Sequence, residues 1–182
     1  MPLNRRHLAT LASLACLAAA GLGAAGLAWM RLGVQAPQSP QAGQVAPEVE
    51  FVLLDGQKLS TTQLQGQVVF VNFWATSCSI CVAEMSQVVA TFEKFRSRGF
   101  QTVAVAVSYD PPALVSDYAI AHHLPFGVAI DNTGRIAEQF GQVTQTPTSF
   151  LIDRRGRIVQ RFVGAPDFAA LRGQVDRLLA EN

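Results

Sequence analysis

Cysteine is scarce: the 182-residue chain has three, too few for the disulfide framework of a small secreted scaffold. Nor does the body of the chain contain a run of Lys and Arg, and with a formal net charge of +1 it lacks the electrostatic footprint of a nucleic-acid-binding protein. No internal repeat is present, which excludes a stacked-repeat architecture. What remains is enough chain for one ordinary domain of roughly 100–200 residues with a real core, plus some additional material. Two of the cysteines, Cys78 and Cys81, lie three positions apart; the third, Cys16, sits inside an apolar stretch.

That stretch covers residues 8–30, preceded by Arg5, Arg6 and His7 and closed by Arg31. As a helix rising about 1.5 Å per residue it would be roughly 34 Å long, enough to cross a hydrocarbon layer of about 30 Å. Residues 1–31 are therefore expected to be a membrane anchor. Two alternatives are a signal peptide cleaved near residues 26–28 and a lipoprotein signal acylated at Cys16, for which Ser13-Leu14-Ala15 is a poor match. The Arg5-Arg6 pair also faintly resembles a twin-arginine signal. Each reading exports the rest of the chain, and with Arg5 and Arg6 held inside, the positive-inside rule puts the domain outside the cytoplasmic membrane.

Residues 32–46 (LGVQAPQSPQAGQVA) carry prolines and glutamines without apolar periodicity and read as a flexible linker. The domain, residues 47–182, opens with a hairpin pattern at 49–54 and 57–59 around an Asp55-Gly56 turn, then a helical turn capped by Ser60. Residues 67–74 (QVVFVNFW) are dense in β-branched and aromatic residues, the composition of a central strand buried on both faces. Directly after it, Cys81, Met85, Val88, Val89, Phe92 and Phe95 recur at helical spacing through about residue 98. Strands are expected at 100–107, 126–130, 148–153 and 157–163, and helices at 111–123, 135–140 and from an Asp167 cap to about residue 180. Strands alternating with helices, then an antiparallel pair, indicate an α/β domain with a mixed central sheet and helices on both faces.

A Cys-x-x-Cys pair between a strand and a helix carries redox chemistry. The unpaired N–H groups and partial positive charge of a helix N-terminus stabilise a thiolate, drawing a cysteine pKa from about 8.5 towards 7 or below. Cys78 is thus the expected nucleophile, and Cys81, one turn on and facing the core, the resolving thiol. Glu84 follows three positions later, at the border of the apolar stripe of Cys81, Val88 and Phe95. Half-buried there, its carboxyl would have a raised pKa and could exchange a proton with Cys81; a solvated helical glutamate is the plainer alternative.

The segment FVNFWATSCSICVAEM at 70–85 resembles the active-site stretch of the thioredoxin superfamily, in particular of the TlpA/ResA-like membrane-anchored thiol-disulfide oxidoreductases of the bacterial envelope. The similarity extends to the opening APEVEFVLLDGQKLS and the later TQTPTSFLIDRRGRIV. It implies a thioredoxin-like fold with the hairpin as an N-terminal extension, a cis-proline at Pro147 facing the cysteines, and a backbone at Thr146 that pairs with an extended substrate segment. Related envelope reductases carry Cys-x-x-Cys-x-x-Glu, which implies a proton-handling role for Glu84. Cytosolic thioredoxins place a buried acid where this chain has Asn72, which cannot titrate. The implied activity is reduction of disulfides in exported proteins, with a membrane thiol-electron conduit as reductant. No metal, flavin or nucleotide is implied beside the redox-active Cys78–Cys81 pair. Similar proteins serve apocytochrome c, copper-centre assembly or general protection of envelope cysteines, and no residue selects among these.

There are departures. Ser77 stands where most relatives carry tryptophan, and Ser79-Ile80 replaces a dipeptide ending in proline. Ser77, Ser79 and Ile80, with Thr146 and Pro147, are the expected partner-contacting surface. The direction of exchange rests on the resemblance alone, and an oxidase or isomerase is the alternative. A peroxiredoxin would need Pro-x-x-x-Thr-x-x-Cys, whereas Val71 and Ala75 occupy the positions seven and three before Cys78. A copper carrier would space its cysteines one residue further apart and add a distal histidine. Trp74 reads as a core or site-wall residue, and Tyr109, Tyr118, His122 and His123 as ordinary surface or packing residues.

Overall fold

The computed structural model describes residues 42–181; the expected anchor at 1–31 and most of the expected linker lie outside them. Strands β1 (Glu50–Val52) and β2 (Lys58–Ser60) form an antiparallel hairpin. A five-stranded sheet follows from β3 (Val68–Trp74), β4 (Phe100–Ala106), β5 (Gly127–Ile130), β6 (Thr148–Ile152) and β7 (Ile158–Val163), in the order β5-β4-β3-β6-β7. As its composition requires, β3 is central and buried along its whole length. It runs parallel to β4 and antiparallel to β6, with Val71 opposite Val103 on one side and Phe150 on the other.

Among the described residues, four α-helices cover the sheet: α1 (Ser79–Phe95), α2 (Pro112–Ala121), the short α3 (Arg135–Gln139) and α4 (Phe168–Ala180). Period-two alternation in β3 decides which side chain meets which layer. Val68, Phe70 and Trp74 pack with Cys81, Met85, Val88, Phe92 and Phe95 of α1, Val115 of α2 and Leu171 and Val175 of α4. Val69, Val71 and Phe73 face the other way, onto Phe51 of the hairpin, Leu64, and Phe140 at the end of α3. There Phe73 meets Phe140 and Phe150 edge to face while Phe140 and Phe150 are tilted on each other, with centroids 5.1–6.0 Å apart. Each such phenyl ring, fully buried, contributes roughly 1.5–3 kcal/mol of transfer free energy.

Both edges of the sheet are met in part by N-terminal chain, which shortens the open ladders that invite aggregation. On the β5 edge, Leu53 bridges Ala129 and Leu54 N–H donates to Val128 O at 2.9 Å. A β-carbon on Gly127 would stand 3.2 Å from Leu53 Cδ2, so the absence of a side chain there lets the hairpin approach. On the β7 edge, Gly43 N–H donates to Ile158 O, Ile158 N–H to Gln44 O, and Ala46 N–H to Gly156 O. Residues 43–46, expected to be linker, are therefore paired with the domain, mostly through backbone bonds, which leave little side-chain pattern to read.

Capping is local and legible. Asp167 Oδ1 accepts from the N–H groups of Ala169 and Ala170, starting α4. Ser60 and Gln63 bond reciprocally, backbone N–H to side-chain oxygen in each direction, at 2.8 and 3.2 Å. The expected helical turn after Ser60 stays a turn and does not lengthen into a helix.

Candidate active site

β3 ends at Trp74, and Ala75, Thr76 and Ser77 turn the chain into α1. Cys78 N–H closes this turn on Ala75 O at 3.1 Å. Cys78 is the N-cap of α1 in extended conformation, and its Sγ takes the place of a capping oxygen by accepting the Cys81 N–H at 3.2 Å. No acidic residue stands in the first turn to oppose a negative sulfur. The field of the helix N-terminus therefore acts on this one atom.

The two cysteines are joined as a disulfide. Cys78 is partly exposed, whereas Cys81 is wholly buried among the side chains beneath α1, so an incoming thiol or disulfide reaches Cys78 alone. Ser77 and Ser79 are exposed beside it, as is Ile80. Opposite lies the turn before β6, where Thr146–Pro147 is cis and Thr146 O approaches Cys78 Sγ to 3.5 Å, within reach of a thiol proton. Thr148 Oγ1 donates to Gln145 O at 2.8 Å and Gly164 N–H to Pro147 O at 2.8 Å, holding this turn against β7. All five residues expected at the partner-contacting surface thus gather around one sulfur or the turn that faces it.

Glu84 is 5% exposed, so it is not a solvated helical glutamate. Asn72 Nδ2 donates to its Oε1 at 3.1 Å, while Oε2 has no hydrogen-bond partner among the described residues. Burial pushes the carboxyl pKa up, and the Asn72 amide opposes this only in part. Asn72 stands opposite Ser149 in the β3–β6 ladder, and both are buried, as is Glu84.

Two further residues belong here that sequence reading set aside or passed over. Tyr109, expected to be ordinary surface, places its hydroxyl 3.2 Å from Thr146 Oγ1. Asp110 accepts from both the N–H and the hydroxyl of Thr76. The readable signal was topological: β3 and β4 are parallel, so the loops that follow them emerge at the same edge of the sheet. Trp74 and Tyr118 pack at 5.0 Å, and His122 stacks on Tyr118 at 4.1 Å, which are packing roles.

A thioredoxin-like domain with an accessible Cys78 sulfur at a helix N-cap and a buried Cys81 behind it defines a thiol-disulfide oxidoreductase. The chain matches the Redoxin family model over residues 41–175 and belongs to that family, within its TlpA/ResA-like branch. It is 32% identical over 138 residues to the thiol-disulfide oxidoreductase ResA of Bacillus anthracis, covering 76% of this chain and 79% of that one. ResA of Bacillus subtilis (strain 168) is 32% identical over 129 residues, 70% of each chain. Among solved structures, a thiol:disulfide interchange protein of the thioredoxin family from Chlorobium tepidum superposes with a TM-score of 0.69 at 30% identity, over 76% of this chain and 98% of that one.

Proposed function

We propose that the protein is held in the cytoplasmic membrane by residues 8–30, with its domain on the outer side, and that it reduces disulfides in exported proteins. The Cys78 thiolate attacks one sulfur of the substrate disulfide. A Cys78–substrate disulfide forms as the substrate bond breaks, and the departing substrate thiolate takes up a proton. Cys81 then gives its proton to the Glu84 carboxylate and attacks Cys78 Sγ, expelling the second substrate thiolate, which is protonated in turn. The substrate gains two electrons and two protons, and the Cys78–Cys81 disulfide remains. A dithiol of a membrane thiol-electron conduit reverses the sequence and is itself oxidised. No metal, flavin or nucleotide takes part in this scheme.

The raised pKa of Glu84 supports its part, because proton exchange is most efficient between groups of similar pKa. What carries the reading is one observation: an accessible sulfur at the N-cap of α1 with a fully buried partner thiol behind it. The reduction potential of the full chain, equilibrated against glutathione buffers, tests the direction. A value near or below about −270 mV is expected of a reductase, and one near about −120 mV would reassign the protein as a disulfide donor. Retention of the chain in carbonate-washed membranes, with the domain open to protease added outside, tests the location.

A further inference from the structure

Tyr109 is 64% exposed, and its hydroxyl is already engaged with Thr146 Oγ1. Between it and residues 142–146 runs an open groove of about 430 Å³ whose apolar wall is Val107, Ala137 and Val143. Among the described residues that line it, Glu138 is the one that carries a charge. Gln142, also in the lining, holds φ +52°, a left-handed conformation that is costly for a residue with a β-carbon and that collects at ligand-shaping loops.

Thr146 belongs to both places: its carbonyl meets Cys78 Sγ at 3.5 Å and its side chain lines the groove. A polypeptide laid along Thr146 to bring a disulfide to Cys78 therefore runs on into the groove. The path from Sγ through Thr146 to the Tyr109 hydroxyl spans at most roughly 11 Å, about three residues of extended chain at ~3.3 Å each. With its polar tip occupied, the tyrosine offers a substrate its apolar ring. Glu138 repels an acidic side chain entering beside it.

We propose that this groove binds an apolar side chain carried by the substrate within about three residues of the cysteine under attack, and that Tyr109 is the residue that selects it. The proposal rests on the reading of the pair as a reductant of polypeptide disulfides. It gives the substrate a chemical class: an extended segment with an aliphatic or aromatic residue close to its cysteine.

The test is reduction of synthetic peptides by the reduced full chain. Each peptide carries one cysteine in mixed disulfide with a small thiol, and the series differs only in having Phe, Leu, Ser or Asp within three residues of it. The expected ratio of kcat/KM for Phe or Leu over Asp is about tenfold or more, the discrimination usual for an apolar pocket. Tyr109→Ser should bring this ratio close to one, and Tyr109→Phe should keep it. Because the ratio is taken within each variant, a general loss of activity does not enter it. A flat series in the wild-type chain, or a Tyr109→Ser ratio equal to the wild-type one, overturns the proposal while exchange itself persists. Failure of every peptide to be reduced overturns the reading beneath it, and the proposal with it.

Discussion

Both carboxylate oxygens of Asp110 are taken by a single residue, Thr76: Oδ2 accepts its backbone N–H and Oδ1 its hydroxyl, each at 2.6 Å. Asp110 is 2% exposed, and Thr76 stands two positions before Cys78, so the loop that presents Cys78 is moored to the loop after β4. Asp110→Ala strands a part-buried N–H, which should cost about 1–3 kcal/mol. Asp110→Asn keeps an acceptor for that N–H and an amide that can donate to the hydroxyl, and should cost less. Urea denaturation should show the midpoint falling in the order wild type, Asn, Ala with an unchanged slope. Coincident midpoints would detach the cysteine loop from this carboxylate.

The two sulfurs differ in access, and their variants should differ in kind. With Cys78→Ser no accessible thiol remains among the described residues, and turnover should vanish. With Cys81→Ser the first attack proceeds but nothing resolves it, so substrates should accumulate as mixed disulfides visible on non-reducing gels. A Cys81→Ser chain that carries no adducts would contradict the assignment of Cys78 as the attacking sulfur.

Glu84 links stability to pH with a definite sign. Below about pH 4.5, its ordinary value, the carboxyl is protonated in both folded and unfolded chains and has no effect. Above that pH the unfolded carboxyl ionises first. The native state then binds more protons, and stability falls as pH rises until the folded carboxyl ionises too. Glu84→Gln keeps an acceptor for Asn72 and removes the ionisation. It should match the wild type near pH 4 and exceed it in denaturation midpoint from there up to a plateau. The same variant should slow resolution of the mixed disulfide about tenfold or more, within the range general acid-base groups supply, and lose the corresponding limb of the pH–rate profile. An unchanged profile would leave Glu84 as a buried packing residue.

What sequence reading delivers here tracks the range of the interactions. The cysteine pair, the β3 strand, the α1 stripe and the Asp167 cap are set by neighbours a few positions apart, and each appears where its pattern puts it. Glu84 was legible as a border position because helical geometry relates it to Cys81 and Val88. Its pairing with Asn72, in contrast, depends on how β3 and α1 fold together. Tyr109 and Asp110 act on residues 37 and 34 positions away, and neither bond leaves a trace in local periodicity. The docking of residues 43–46 on β7 is more remote still, with Arg157 donating to Gly43 O across 114 positions.

Ile80 offers a way to ask what sets the poise of the pair. It is the second residue of α1, so its N–H is among the orphan donors of the helix N-terminus, and its side chain is 54% exposed. Proline is tolerated in a first helical turn, where no intrahelical bond is lost. Ile80→Pro should therefore leave the fold intact while withdrawing one donor from the field that stabilises the Cys78 thiolate. A less stable thiolate disfavours the dithiol form, so the pair becomes more reducing. A loss of about 1.4 kcal/mol corresponds to a potential about 30 mV more negative. The Cys78 thiol should also titrate at higher pH, which the pH dependence of alkylation by iodoacetamide would register. If the potential instead stays level or rises, the helix-terminus field is not what Ile80 contributes, and its exposed side chain would be left as a contact for partners.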